Sequence, residues 1–149
     1  MYTILMTSDK RLTKTMVVTL HQYENLVDKL KFIVPYMYED LDLSTFKASL
    51  VYTTPHGKEM SETLNFSSEL YKERWMCGYL TISTAITKYA GDVTLRLVFT
   101  DAHQRVLQSD ETFITIEAYK ASDSDIPECP DDDQPSENPN LNGFEVVEF

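Results

Sequence analysis

The stretch Trp75–Asp101, WMCGYLTISTAITKYAGDVTLRLVFTD, holds the longest alternating run of apolar and polar residues in this 149-residue chain. One face of its second half carries Val93, Leu95, Leu97 and Phe99. A period of two residues is typical of a half-buried β-strand. The pattern therefore predicts a strand from Trp75 to Ser83, a short corner, and a partner strand from Asp92 to Asp101.

Similar but shorter runs flank this stretch on both sides. The further predicted strands are Tyr2–Met6, Thr13–Gln22 with Met16, Val18 and Leu20 on one face, Asn25–Val34, Ser44–Thr54, Glu59–Phe66, and Arg105–Tyr119 as one long strand or a bulged pair. Strands at intervals of about ten residues, without a sustained helical period, are typical of sandwiches and small barrels. We therefore predict an all-β fold, an immunoglobulin-like antiparallel β-sandwich of about seven to nine strands.

A change of composition at Ala121 divides the chain. Residues 121–149 contain nine acidic residues, four prolines and no basic residue. Such a segment buries too little apolar surface to offset the entropy of ordering it. We therefore expect a sandwich domain over residues 1–120 and an extended acidic tail over residues 121–149.

The end of this tail has a different character from the rest. Phe144–Phe149 is apolar and β-prone, so it can add as a strand to an acceptor sheet. We predict that the tail is an arm that contacts neighbouring subunits. Its predicted contact residues are Asp131, Asp132, Asp133, Phe144, Val146, Val147 and Phe149.

Charge argues against several classes of partner. Residues 1–120 carry 15 acidic and 13 basic residues, so the domain is nearly neutral and offers no cationic surface for nucleic acid or anionic membrane. We expect no signal peptide and no membrane-spanning helix. Cys77 and Cys129 are expected to be free thiols in a protein assembled in the cytoplasm.

No residue pattern predicts catalysis, a metal site or a cofactor. His21, His56 and His103 have no partner at ligand spacing. The carboxylates of Glu39, Asp40 and Asp42 share one loop, whereas acid–base pairs flank a cleft. The run Asp131–Asp133 is compatible with calcium but lacks the spacing and glycine of an EF-hand. We therefore expect a protein that is not an enzyme.

Three segments resemble a known family. DLSTFKASLVYTTPHGKEMSETL (Asp42–Leu64), ELYKERWMCGYLTIS (Glu69–Ser83) and TAITKYAGDVTLRLVF (Thr84–Phe99) are similar to the β-sandwich of tailed-phage baseplate upper proteins and related head-fibre and virion structural proteins. The shared features are the P-x-G hairpin, an aromatic residue before a late strand, and the T-x-x-A-G-D corner. The resemblance covers roughly residues 10–120 and carries no catalytic residue.

The resemblance implies a bacteriophage virion structural protein that works by binding. Family members usually continue into a fibre or receptor-binding part, where this sequence has its acidic tail. That difference favours an auxiliary capsid subunit, for head decoration or fibre anchoring, that binds the major structural protein and its own copies. A baseplate or tail adaptor is the alternative. A second alternative is a carbohydrate-binding module that uses Tyr36, Tyr38 and Tyr71.

Overall fold

The structure, a computed structural model, describes residues 1–119. Within them lie the strands β1 Tyr2–Met6, β2 Leu12–Met16, β3 Leu20–His21, β4 Lys29–Pro35, β5 Met37–Tyr38, β6 Leu41–Asp42, β7 Lys47–Thr53, β8 Glu59–Phe66, β9 Trp75–Thr81, β10 Gly91–Thr100, β11 Val106–Gln108 and β12 Thr112–Glu117. A 3₁₀ turn spans Leu43–Thr45, and one short helix, α1, spans Thr84–Thr87. The predicted all-β class is confirmed.

Strand β10 forms the centre of the core. Its four predicted inward side chains, at positions 93, 95, 97 and 99, are all fully buried. They pack with the inward residues of β4 and β7, among them Phe32 and Leu50. Burial of each large apolar side chain stabilises the fold by roughly 1.5–3 kcal/mol. The strict alternation of β10 is therefore the pattern of a strand with one face in the core.

The predicted pairing of the two strands in Trp75–Asp101 is wrong. Strand β9 pairs with β4 and β8, whereas β10 pairs with β7, β11 and β12. The corner between them is not a hairpin turn, because Ser83 caps a helical turn by accepting a hydrogen bond from the Ala85 N–H. This connection carries the chain from one half of the sheet to the other.

The strands form one large curled sheet in the order β2-β1-β4-β9-β8-β7-β10-β12-β3. Strand β8 makes the corner, since Glu59–Leu64 pair with β7 while Asn65 and Phe66 pair with β9. The prediction of antiparallel pairing holds for most neighbours. The pairs β1–β4 and β12–β3 are parallel, so the sheet is mixed, and it has more strands than predicted.

The two ends of the curled sheet meet along a seam. Residues 10–21 run beside residues 110–117 in the same direction. At one end of the seam the Asp110 N–H donates to the Lys10 carbonyl at 2.8 Å. At the other end, Leu20 pairs with Ile116 in a parallel ladder. Backbone contacts at both ends of the seam therefore hold the two ends of the sheet side by side, although within residues 1–119 no ladder joins β2 to β12.

The middle of the seam is closed by a side chain. Lys14 Nζ donates to the Phe113 carbonyl at 2.9 Å and lies 4.0 Å from the centre of the Phe113 ring. Beyond β2 the strand is interrupted, since residues 17–19 belong to no strand. The prediction of a continuous strand Thr13–Gln22 is therefore wrong: Leu20 is buried and Val18 partly buried, but Met16 is 57% exposed.

The remaining sequence predictions concern the hairpin, the last strands, the loop over residues 67–74 and the tail. The hairpin of β7 and β8 is confirmed, with Gly57 at φ +86° in its turn. The bulged pair is confirmed as β11 and β12, which both lie along β10. Residues 67–74 were open to two predictions, a helical turn or a polar loop, and they form a loop. The predicted tail, residues 121–149, lies outside the described residues.

Candidate docking surface

The connection between β3 and β4, residues 22–28, is held rigidly although it has no regular structure. Both backbone and side-chain groups anchor it to β12, to α1 and to the end of β9. The backbone bonds are Gln22 N–H to Glu117 O, Tyr23 N–H to Thr87 O, Leu26 N–H to Ile82 O and Ile82 N–H to Asp28 O. We refer to these residues as loop 22–28.

Polar side chains complete the anchoring of loop 22–28. The fully buried Thr87 hydroxyl donates to the Glu24 carbonyl at 2.7 Å, and the Thr84 N–H donates to Asn25 Oδ1 at 3.1 Å. Helix α1 therefore presents its threonines to the loop. Hydrogen bonds to β12, to α1 and to Ile82 after β9 therefore anchor the loop along most of its length.

Two residues of loop 22–28 have left-handed backbone conformations. Tyr23 has φ +72° and Leu26 has φ +63°. For a residue with a Cβ this conformation costs roughly 1–2 kcal/mol. Such backbone strain persists only where surrounding contacts impose it, and it concentrates at functional sites.

The same loop exposes its large apolar side chains. Leu26 is 64% exposed and Val27 is 78% exposed, while Tyr23 packs edge-on against Tyr119, with ring centres 5.7 Å apart. Further exposed apolar side chains lie at this end of the domain, since Met16 pairs with Thr3 near the start of β1. We define the apolar end as Met1, Met16, Val17, Tyr23, Leu26, Val27 and Tyr119.

Sequence reasoning missed the apolar end because it assigned Asn25–Val34 to one strand. The strand starts only at Lys29. The signal that was available is the segment Tyr23-Glu-Asn-Leu-Val-Asp28, in which apolar residues do not alternate and Asn25 and Asp28 interrupt them. Asparagine and aspartate favour turns because their side chains bond nearby backbone groups.

A groove lies at the opposite end of β4 and β9, where β8 crosses between the two halves of the sheet. It has a volume of about 600 Å³. Its apolar lining includes Leu43, Phe46, Leu64, Phe66, Leu70 and Met76. We call it the corner groove. The Phe66 ring in its wall packs closely on Gly78, since ring carbons lie 2.9 Å from the place a Cβ on Gly78 would occupy.

Tyr52 and Asp101 are two of the four ionisable side chains in residues 1–119 whose pKa values are shifted by their surroundings. Burial raises the pKa of Tyr52, and its hydroxyl also donates to Glu62 Oε2 at 2.8 Å. Asp101 is partly desolvated, but the Arg105 N–H and guanidinium outweigh this effect and hold the pKa of its carboxyl below the usual value. Both contacts are structural, since each ties neighbouring parts of the sheet together.

Within residues 1–119, the structure does not bring the candidate catalytic and metal-binding side chains together in one site. Among residues 1–119, no group of three or more His, Cys, Asp or Glu side chains is placed to hold a metal ion. His21 lies near Glu24, and His56 packs against Tyr89 with the rings tilted by 45° and their centres 3.9 Å apart. Asp42 caps the 3₁₀ turn. Cys77 is a buried free thiol.

The tyrosines proposed for carbohydrate binding do not form one platform. Tyr36 and Tyr38 are partly buried and pack against the core, whereas Tyr71 is 52% exposed. The calcium candidate Asp131–Asp133 and the predicted arm residues all lie outside the described part of the chain. In residues 1–119, no helix is long and apolar enough to cross a membrane.

Comparisons with known proteins give little beyond the fold. No family model and no curated protein matches the sequence. Among solved structures, the chain is similar to the N-terminal domain of phage TP901-1 ORF48, with a TM-score of 0.40 and 12% identity over 80% of this chain and 96% of that chain. A likeness at this level carries no argument about partners or activity.

Proposed function

We propose that this protein is a bacteriophage virion structural protein, an auxiliary capsid subunit for head decoration or fibre anchoring that acts by binding. It binds the major structural protein through the apolar end, and it contacts neighbouring copies through its acidic tail. The sequence resemblance described above supports the phage setting. The observation that carries the binding role is loop 22–28, which displays Leu26 and Val27 on a rigid, strained backbone.

The physical argument concerns preorganisation. An exposed group of large apolar side chains is costly in water and marks an interaction surface. A loop that is already ordered loses little entropy when a partner covers it. The anchoring of loop 22–28 to Thr87 and Ile82 provides this order. When a partner with a matching apolar surface covers the loop, little of the free energy gained by burying apolar surface is therefore lost to ordering the loop.

The charge of the domain bears on the kind of partner. A nearly neutral domain is suited to protein partners, not to nucleic acid or membrane. The protein would act in the virion after assembly in the host cytoplasm, in many copies. It needs no cofactor and catalyses no reaction.

A matched pair of variants tests the apolar end. Val27→Asp places a charge in the proposed interface, while Val106→Asp makes the same change at a similarly exposed valine on β11. We expect Val27→Asp to lower the number of copies per purified particle by at least about tenfold, as for the loss of a central interface residue. Val106→Asp should incorporate normally. Equal incorporation of both variants would refute the apolar end as the docking surface.

A deletion tests the proposed arm. Removing residues 121–149 should weaken incorporation without lowering the Tm of the domain, because the deletion leaves intact the core cluster that residues 1–119 form among themselves. Mass spectrometry of the particles would measure both incorporation and copy number. Normal incorporation of the shortened chain would refute the arm.

Copy number also separates the proposal from its alternatives. A number in proportion to the capsid shell supports the auxiliary capsid role, whereas a few copies per particle would favour the baseplate or tail adaptor. A carbohydrate-binding module predicts binding of the isolated protein to host-wall glycans. Loss of that binding in Tyr71→Ala would be required, since Tyr71 is the exposed member of the three candidate tyrosines.

A further inference from the structure

We infer that the first half of β8 pairs with the same strand of a second copy of this chain. Strand β8 pairs with β7 along Glu59–Leu64, but β9 pairs with it only at Asn65 and Phe66. Within residues 1–119, no other strand pairs with residues 59–63. An open edge of this kind accepts an additional strand. This contact between copies is separate from the apolar end.

Hydrogen bonds beyond the two ends of β8 show which backbone groups face the open edge. At the turn, the Thr54 N–H donates to the Lys58 carbonyl at 2.9 Å, so this carbonyl points toward β7. Beyond the far end, the Ser67 N–H donates to the Cys77 carbonyl, in β9, at 2.9 Å. Because the backbone groups of successive residues point to opposite sides of a strand, those of the odd-numbered residues face the open edge. These residues are Glu59, Ser61 and Thr63.

The usual protection of an open edge is missing over residues 59–63. This part of β8 contains no proline, lysine or arginine, and its register with β7 is unbroken. Both of its carboxylates turn back toward the domain. Glu59 Oε2 lies 3.1 Å from Arg96 Nη1. Glu62 lies on the core-facing side, where a charge can deter pairing, but its Oε2 accepts a hydrogen bond from the Tyr52 hydroxyl at 2.8 Å.

A second copy fits this edge in one antiparallel register, with a two-fold axis at Ser61. In that register Ser61 lies opposite Ser61 of the second copy, and Glu59 lies opposite Thr63. Every outward N–H and carbonyl group of the two strands is then paired. A register shifted by two residues either places Thr63 opposite Gly57 in the turn or places Glu59 opposite Asn65, which already pairs with β9. The strand is therefore complementary to itself, as a two-fold interface requires.

The side chains of β8 permit this pairing. Glu59 lies opposite Thr63 of the second copy, and Glu62 lies opposite Met60. Like charges directly opposite each other would destabilise the ladder, and here each carboxylate faces a neutral residue. Met60 is only partly buried against the core of its own domain, so the added strand covers apolar surface as well as backbone.

Amide hydrogen exchange of the full-length protein tests the open edge. Because the interface is small and of the weak, transient class, samples from about 10 μM to about 1 mM are compared. We expect the Ser61 and Thr63 N–H groups to exchange about tenfold more slowly at the highest concentration. The N–H groups of Met60 and Glu62 face β7 and should not change. Sedimentation velocity should show dimers over the same range.

Substitutions at the two-fold axis provide the matched variants. Ser61→Pro removes an outward N–H and leaves the bonds to β7, so the domain should keep its Tm and lose the dimer. If Ser61→Pro does not fold, Ser61→Lys replaces it, since it places two like charges opposite each other. Ser68→Lys makes the same change at an exposed serine in the loop after β8, and it should still dimerise.

Cysteine cross-linking tests the register. In a Cys129→Ser background, Ser61→Cys should form a disulfide-linked dimer on oxidation, because Cα atoms paired across the axis lie about 5.5 Å apart. Thr63→Cys lies on the same edge but should not cross-link, because its counterpart is about 13 Å away along the ladder. Cys77 is buried and remains in both variants.

Three results would overturn the pairing of β8 between copies. The first is exchange at Ser61 and Thr63 that stays fast and unchanged at the highest concentration. The second is slow exchange in a protein that sediments as a monomer, since the edge would then be covered within one copy. The third is equal cross-linking of Ser61→Cys and Thr63→Cys, which would refute the register. All three use purified protein, so they are independent of particle incorporation and of the proposed function.

Discussion

Strand β10 and loop 22–28 use the same kinds of side chain for opposite purposes. Leu97 in β10 is fully buried, whereas Leu26 in the loop is 64% exposed. The backbone of β10 is regular and its ladder is continuous with β7. The backbone of loop 22–28 includes left-handed residues and is held by hydrogen bonds to other elements. The regular backbone of β10 buries its apolar side chains, whereas the irregular but anchored backbone of loop 22–28 exposes them, and this contrast is the basis of the proposed binding role.

The largest expected effect lies in β10. Leu97→Asp should unfold the domain, because it places a carboxylate in the core without a partner and costs several kcal/mol. Leu97→Met keeps the volume and should cost less than about 1.5 kcal/mol. Urea denaturation measures both variants. A folded Leu97→Asp protein of unchanged stability would show that Leu97 does not face the core.

A smaller effect is expected where α1 anchors the loop. Thr87→Val keeps the shape of the side chain but leaves the Glu24 carbonyl without its donor, which should lower the free energy of unfolding by about 1–2 kcal/mol. Thr87→Ser retains the hydroxyl and is the control. Faster hydrogen exchange over residues 22–28 in Thr87→Val, but not in Thr87→Ser, would confirm the anchor. Equal hydrogen-exchange rates in both variants would show that the backbone hydrogen bonds alone hold loop 22–28 in place.

The loop itself should tolerate loss of its side chain. Leu26→Gly removes an exposed side chain and relieves the left-handed strain, while glycine adds freedom to the unfolded chain. We expect the free energy of unfolding to change by less than about 1 kcal/mol, but particle incorporation to fall. A large loss of stability would mean that Leu26 contributes to packing. If incorporation does not fall, neither the Leu26 side chain nor its strained backbone is needed for binding.

The smallest effect concerns acid stability at the turn after β10. The pKa of Asp101 is lowered in the folded domain, so its contribution is present above about pH 4, the ordinary range of an aspartate. That contribution is lost as the pH falls through the lowered value. Asp101→Asn should therefore lower the Tm slightly at pH 7 and match the wild-type protein in acid. A Tm difference that grows below pH 4 would contradict this sign.

The sequence predicted the elements that local patterns determine. The alternation in β4, β7 and β10 identified their buried faces, and Pro55 with Gly57 identified the hairpin turn. The pairing of β9 with β10 could not be read in this way, because the partner of a strand depends on long-range packing. The extra residues 84–90 are compatible with a wide corner or a crossover, and the Ser83 cap favours the crossover.

The candidate site was less accessible to sequence reasoning. Exposed apolar residues in loop 22–28 look like the start of a strand, since Leu26 and Val27 are β-compatible residues. Their exposure follows from left-handed angles at two positions and from a hydroxyl on a distant helix. No short-range pattern encodes such a combination. The corner groove likewise depends on β8 dividing its pairing between two strands.

The closed seam has a consequence for how the domain folds. The bond between Lys10 and Asp110 and the pairing of Leu20 with Ile116 join segments almost a hundred residues apart. Loop-closure entropy makes such contacts late events, and folding slows as the mean sequence separation of contacts rises. A ribosome must therefore release most of residues 1–119 before the contacts of the seam can form. Until then, β2 and β12 remain uncovered and open to pairing with other nascent chains.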